Sequence, residues 1–91
     1  MEVNGRKIEP GAYLYDARLS GADLSGANLR GARLYDATLS GANLPGANLS
    51  GTNLSGADLS RVSLSGADLS SVDLTGVKLT NAIMPDGTLH F

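Results

Sequence analysis

Cysteine is absent from these 91 residues, so neither a disulfide nor a thiolate metal site can hold the fold together. Aromatic residues are nearly absent, with Tyr13, Tyr15, Tyr35 and Phe91 the only four. A core must therefore be assembled from small aliphatic side chains, which suits a narrow interior. Charge of one sign is lacking as well. Seven basic residues against nine acidic ones leave −2, too slight a balance to draw the chain to nucleic acid or an anionic membrane. The opening residues, MEVNGRKIEPG, hold no apolar stretch of signal-peptide type, and no apolar run approaches the length that spans a bilayer. These absences lead to the expectation of one small cytoplasmic domain, held by apolar burial and backbone hydrogen bonds.

What is present is a five-residue phrase repeated from Ala12 to Asp86, with a leucine at the centre of every unit from Leu14 to Leu79 and Met84 in the last. On an α-helix, leucines five apart would turn by about 140° each and form no stripe. On a straight strand the odd spacing would put half of them in water. The pattern is consistent only if the chain turns a corner once per unit. Its first and third residues then point inward, its second and fourth outward, and its fifth makes the bend. Nine fifth positions are glycine, and Asp16, Asp36, Asn81 and Asp86 are further turn formers. Arg61 and Ser71 are the exceptions, and Arg61 leads to the expectation that its corner does without a positive φ. Pro45 and Pro85, in the fourth position, predict that this amide belongs to the corner and not to the ladder between coils.

A chain that bends the same way every five residues closes on itself and stacks. The tetrapeptide LYDA begins at Leu14 and again at Leu34, which points to four sides per coil and sets Tyr15 over Tyr35 and Asp16 over Asp36. Counting by twenty, the second positions form the ladders Tyr13–Arg33–Asn53–Asp73, Arg18–Thr38–Asp58–Lys78, Asp23–Asn43–Ser63–Ile83 and Asn28–Asn48–Asp68–Thr88.

The consensus A(D/N)LSG, intact as ADLSG at 22–26 and ANLSG at 47–51, resembles the pentapeptide-repeat family. The closing AIMPDGTLH also resembles the tail of small bacterial members. The resemblance covers about four fifths of the chain and implies an all-β fold, a right-handed quadrilateral parallel β-helix of about four coils with five-residue faces. It implies little about activity.

The ends need caps, because a solenoid leaves open strand edges at both. Residues 1–11 read as an N-terminal cap that lays Val3 and Ile8 over the first coil, residues 12–86 as the β-helix, and 87–91 as a C-terminal cap. In MPDGTLHF, Met84 and Leu89 keep the phase of the leucine column, while Pro85 and the PDG turn interrupt the strand. Met84, Leu89 and Phe91 are the candidate end-to-end contact, so the chain is expected as a monomer or an end-to-end homodimer.

Nothing in the sequence assembles a catalytic centre. His90 is the only histidine and lies beside the C-terminus, and the serines of the fourth position have no base within reach, so they read as spacers on a hydrated surface. No cofactor or metal motif occurs, so an enzyme is not expected. The outward surface is richest at Tyr13, Tyr15, Arg33 and Tyr35, a composition favoured where proteins bind proteins, with Arg33 set to make a cation–π contact with Tyr13. The expected function is a structural or protein-interaction module with an unidentified protein partner.

The alternative that the resemblance implies is a DNA mimic acting on a type II topoisomerase such as DNA gyrase. Its weakness is charge. Duplex DNA carries one negative charge per about 1.7 Å, whereas Asp23, Asp58, Asp68 and Asp73 fall in four different ladders.

Overall fold

Each five-residue unit runs extended through its first three residues and turns through the last two. The amide that opens the next unit donates to the carbonyl of the central residue, as from Ala17 to Leu14 at 3.1 Å and from Ala47 to Leu44 at 3.1 Å. The fifth residue is left-handed at all fifteen corners from Gly11 to Asn81, with φ between 57° and 72°, while the fourth keeps an ordinary φ. That combination makes a type II turn, which favours proline in the fourth position, where Pro45 stands. Pro10-Gly11 builds the same corner one unit before the leucine column begins, with the Ala12 amide on the Glu9 carbonyl at 3.1 Å.

Arg61 departs from expectation. Its φ is 57°, and Ser71 follows at 58°. A coil closes only if every corner turns alike, so the stack overrides the steric preference of an individual residue. The computed structural model describes residues 1–90.

Parallel pairings join residues twenty apart, eleven of them in unbroken succession from Tyr13↔Arg33 to Ser63↔Ile83. The coil is therefore four-sided, and three of the anticipated ladders are complete. The fourth is not: it runs Asn28–Asn48–Asp68 and stops before Thr88.

The five amides of a unit have separate destinations. In the unit 22–26 the amide of Leu24 rises to Asn43 O at 2.7 Å and that of Gly26 to Pro45 O at 2.9 Å. The second-position amide descends, as from Asn43 to Ala22 O at 2.9 Å, and the first closes the corner. The fourth-position amide takes no backbone partner in any unit of the described residues. The expectation drawn from Pro45 and Pro85 holds, since a residue without an N–H costs the ladder nothing there.

Leucines 14 to 64 and most first-position alanines are buried together with Val62 and Ile8 in one core. Thr52 replaces an alanine at 1% exposure and satisfies its hydroxyl on Leu49 O at 2.8 Å. Burial fades in the last coil, where Leu69, Val72, Val77 and Leu79 are only partly covered and Leu74 is 38% exposed.

The two ends are built differently. At the N-terminus β1 (Glu2–Val3) pairs antiparallel with β2 (Arg6–Lys7). Asn4 and Gly5 join them with φ of 51° and 76°, the two left-handed residues of a type I′ hairpin. Asn4 Nδ2 donates to Arg18 O at 2.8 Å and Arg6 Nη2 to Tyr13 O at 3.1 Å, so side chains of the hairpin occupy carbonyls at the open edge of the first coil. Val3 packs on the core from the same side.

At the other end the chain turns back. Met84 accepts the Gly87 amide at 2.8 Å and donates to Thr88 O at 2.8 Å, and Ile83 pairs antiparallel with Leu89. Leu89 consequently leaves the leucine column and is 47% exposed, contrary to its phase in the sequence. The reason is local. The left-handed residue falls on Gly87 (φ 86°), one position late, so Pro85-Asp86-Gly87 forms a three-residue hairpin loop instead of another corner.

Candidate functional site

The outward positions divide into those that serve the corner and those that are free. An Asp or Asn in the second position turns its Oδ1 back to the fourth-position amide of its own unit. Asn48 accepts from the Ser50 amide at 3.0 Å and Asn53 from the Ser55 amide at 3.0 Å. Asp58, Asp68 and Asp73 do the same for Ser60, Ser70 and Thr75. The hydroxyl of the fourth residue donates to the same oxygen, at 2.6–2.7 Å in these five units. The serines are thus not mere spacers. With the Asx residue they cap the one amide that the ladder leaves over.

These bonds favour the ionised carboxyl. Asp23, Asp58, Asp68, Asp73 and Asp86 are all held below the usual carboxylate range, first by the side-chain hydroxyl of Ser25, Ser60, Ser70, Thr75 or Thr88 and next by that residue's amide. Four of them, Asp23, Asp58, Asp68 and Asp73, stand in four separate ladders, so no face carries an acidic stripe.

The first face departs from this scheme at its N-terminal end, where aromatic rings replace the Asx–Ser pair. Tyr15 stacks on Tyr35 with ring centres 4.7 Å apart and planes inclined by 28°. Tyr13 lies 6.4 Å from both rings. Its hydroxyl meets that of Tyr35 at 3.1 Å. This shared hydrogen bond, with some burial, pushes the Tyr35 phenol above its ordinary pKa. Tyr13 is 61% exposed and Tyr15 44%, while Tyr35 is half-buried between the coils.

The three tyrosines expected to meet do so. Arg33 is exposed in the same ladder, directly after Tyr13, yet the tyrosine rings engage one another and form no cation–π contact with it among the described residues. Residues that the sequence reading left out are Asn4 and Arg6, which dock the hairpin beside Tyr13. The Asn-Gly pair between two short polar–apolar segments was the available signal.

The end contact is altered too. Met84 is half-buried and Leu89 stands apart on the returning strand, while Phe91 lies outside the described residues. The open surface is the last coil itself. The amides of Leu69, Ser71, Leu74, Gly76, Leu79 and Asn81 have no backbone partner among the described residues. Residues 88–90 cover only the face that carries Ile83.

Depressions on the surface follow the corners, one of them lined by Arg30, Gly31, Ser50, Gly51, Ser70 and Ser71. No three His, Asp or Glu side chains among the described residues converge on a metal position. No helix is long and apolar enough to cross a membrane.

Comparison with known families matches the model for pentapeptide repeats over residues 12–51 and 47–84, in eight copies. The chain belongs to the pentapeptide-repeat family. Among solved structures it is similar to the pentapeptide-repeat protein Rfr23 of the cyanobacterium Cyanothece 51142, at 37% identity and a TM-score of 0.80 over 81% of this chain and 51% of that one. It also matches alr5209, a pentapeptide-repeat protein of Nostoc PCC 7120, at 40% identity with a TM-score of 0.46, covering 79% and 64%. HetL, a pentapeptide-repeat protein involved in heterocyst differentiation regulation in Nostoc PCC 7120, matches at 35% identity with a TM-score of 0.33, covering 89% and 50%. The chain therefore spans between half and two thirds of the length of these relatives. No curated protein sequence matches it. As a pentapeptide-repeat protein it is a right-handed quadrilateral β-helix, the architecture that its twenty-residue ladders trace.

Proposed function

We propose that this pentapeptide-repeat chain is a non-catalytic module that binds a protein through the tyrosine-bearing end of its first face. The observation that carries the reading is the exposure of Tyr13 (61%) and Tyr15 (44%) side by side on the first coil, with Tyr15 stacked on Tyr35 of the second. Large aromatic side chains held rigid cost little entropy when they bind, and tyrosine and arginine are enriched in protein interfaces. Several outward positions elsewhere are engaged in Asx–Ser/Thr corners, whereas here two large exposed rings stand side by side.

Pull-down from the native host, compared with a Tyr13→Ala/Tyr15→Ala/Tyr35→Ala variant of unchanged circular dichroism, tests it. Loss of a specific partner supports the reading, and an unaltered set of partners overturns it.

A second contact is favoured by the half-covered leucines of the last coil and by its amides that have no backbone partner among the described residues. End-to-end self-association would bury Leu74 and Leu79, with Met84 and Leu89 at the margin. Sedimentation equilibrium would then show a concentration-dependent mass that Leu74→Lys removes.

A further inference from the structure

We propose that Tyr13 and Tyr35 form an oxidative cross-linking site, at which a one-electron oxidant joins the two rings by a carbon–carbon bond and ties the first coil to the second. The proposal is independent of any partner at this face, because it concerns only the chemistry of the two rings.

The geometry resembles that of the product. Oxidative coupling of phenols joins the carbons ortho to the hydroxyls, so in the coupled pair the two oxygens are neighbours that share a hydrogen bond. Tyr13 and Tyr35 already hold their hydroxyls 3.1 Å apart in such a bond, with ring planes only 26° from parallel. Their backbones are fixed side by side, since Tyr13 pairs with Arg33 and the amide of Asp16 bonds to Tyr35 O at 3.1 Å. The reactive carbons therefore need no chain closure to meet, and proximity of this kind raises the effective concentration of reacting groups far above that of free partners. Tyr15 has a different relation to Tyr35. The rings are stacked with centres 4.7 Å apart, which suits sharing of the electron hole, but the hydroxyl-to-hydroxyl bond of Tyr35 goes to Tyr13.

The step balances without any group from the protein beyond the two phenols. Each phenol loses one electron to the oxidant and one proton to solvent, giving two neutral phenoxyl radicals. These combine in a bond between ortho carbons, and the hydrogen displaced from each ortho carbon moves to its oxygen, restoring both phenols. The net change is loss of two hydrogen atoms. With a peroxidase and hydrogen peroxide as oxidant, one peroxide takes up the two electrons and two protons and leaves as two waters. Tyr13 is exposed enough to meet such an oxidant, while the half-buried Tyr35 receives the second oxidising equivalent through its contacts with Tyr13 and Tyr15.

The test is brief oxidation of the dilute 91-residue chain with peroxidase and hydrogen peroxide, followed by mass spectrometry of the monomer fraction. The expected result is a monomer lighter by two hydrogens. Its tryptic digest should join the peptide holding Tyr13 to the one holding Tyr35, and its thermal midpoint should rise. Tyr35→Phe should abolish the product, Tyr15→Phe should retain it, and oxidation in denaturant should lower its yield severalfold in favour of linked dimers. Only intermolecular products, only oxygen addition, persistence in Tyr35→Phe, loss in Tyr15→Phe, or an undiminished yield in denaturant would each overturn the assignment.

Discussion

Oδ1 of Asn53 accepts two hydrogen bonds from Ser55, one from its amide at 3.0 Å and one from its hydroxyl at 2.7 Å. The relation repeats at every unit of the form Asx-Leu-Ser/Thr, and it explains the consensus as chemistry. The ladder consumes the amides of the second, third and fifth residues and the corner consumes that of the first. Only the fourth amide remains, and where the second residue is Asp or Asn ahead of Ser or Thr its side chain supplies the acceptor.

Asn53→Ala should therefore strip the Ser55 amide of its partner on a half-buried surface and destabilise the fold by about 1–2 kcal/mol. Adding Ser55→Pro removes that amide, and Pro45 shows that the corner accepts proline, so the double variant should recover much of the loss. Urea denaturation of the three chains is the measurement. Failure of proline to rescue would mean that the side-chain bond matters for some reason other than the amide.

Acid should unfold the rod through the same bonds. Asp23, Asp58, Asp68, Asp73 and Asp86 have folded pKa values below the reference 3.8. Lowered values contribute stability that is fully present above 3.8 and lost as the pH falls through the folded pKa. Thermal midpoints should thus be level near neutrality and drop only below about pH 4. Asp68→Asn/Asp73→Asn should stay folded, as Asn48 and Asn53 show that the amide oxygen fits, and should flatten that drop. An unchanged acid profile in the double variant would refute the link.

Arg61 holds a left-handed φ of 57° that its side chain disfavours by roughly 1 kcal/mol. Arg61→Gly should relieve that strain at the cost of greater freedom in the unfolded chain, for a net stabilisation of about 0.5 kcal/mol or slightly more. The reverse change at an equivalent corner, Gly51→Arg, should destabilise. Paired denaturation curves would show opposite signs.

The core should respond by position. Leu54 is 1% exposed in the middle of the stack, so Leu54→Ala is expected to cost about 2–5 kcal/mol. Leu74 is 38% exposed in the last coil, and Leu74→Ala should cost well under half as much. Equal losses would mean that the last coil is covered in solution.

Much of this was legible at the outset because the repeat leaves few options. The offset between Leu14 and Leu34 in the two LYDA segments foretold the stacking of Tyr15 on Tyr35. Pro45 foretold that the fourth amide lies outside the ladder. Both readings rest on local chemistry that recurs in every unit. The structure departs from the sequence expectation at one atypical corner and where the repeat ends. Arg61 by its own preference avoids a positive φ, but the corner belongs to the stack. Leu89 was assigned by phase, but Gly87 takes the left-handed turn one residue late and sends the chain back along Ile83. Asn4-Gly5 is a type I′ hairpin signal inside the segment that the sequence marks as a cap.

By itself the sequence determined the coil: an apolar residue every five positions has a single way of facing inward throughout, and turn-forming residues at the fifth position permit it. Tertiary structure decided the rest, because it depends on which residues meet across twenty positions and at the two ends. Only there does Tyr13 find Tyr35 instead of Arg33, Asn4 and Arg6 find the carbonyls of Arg18 and Tyr13, and the last coil leave amides without a backbone partner among the described residues.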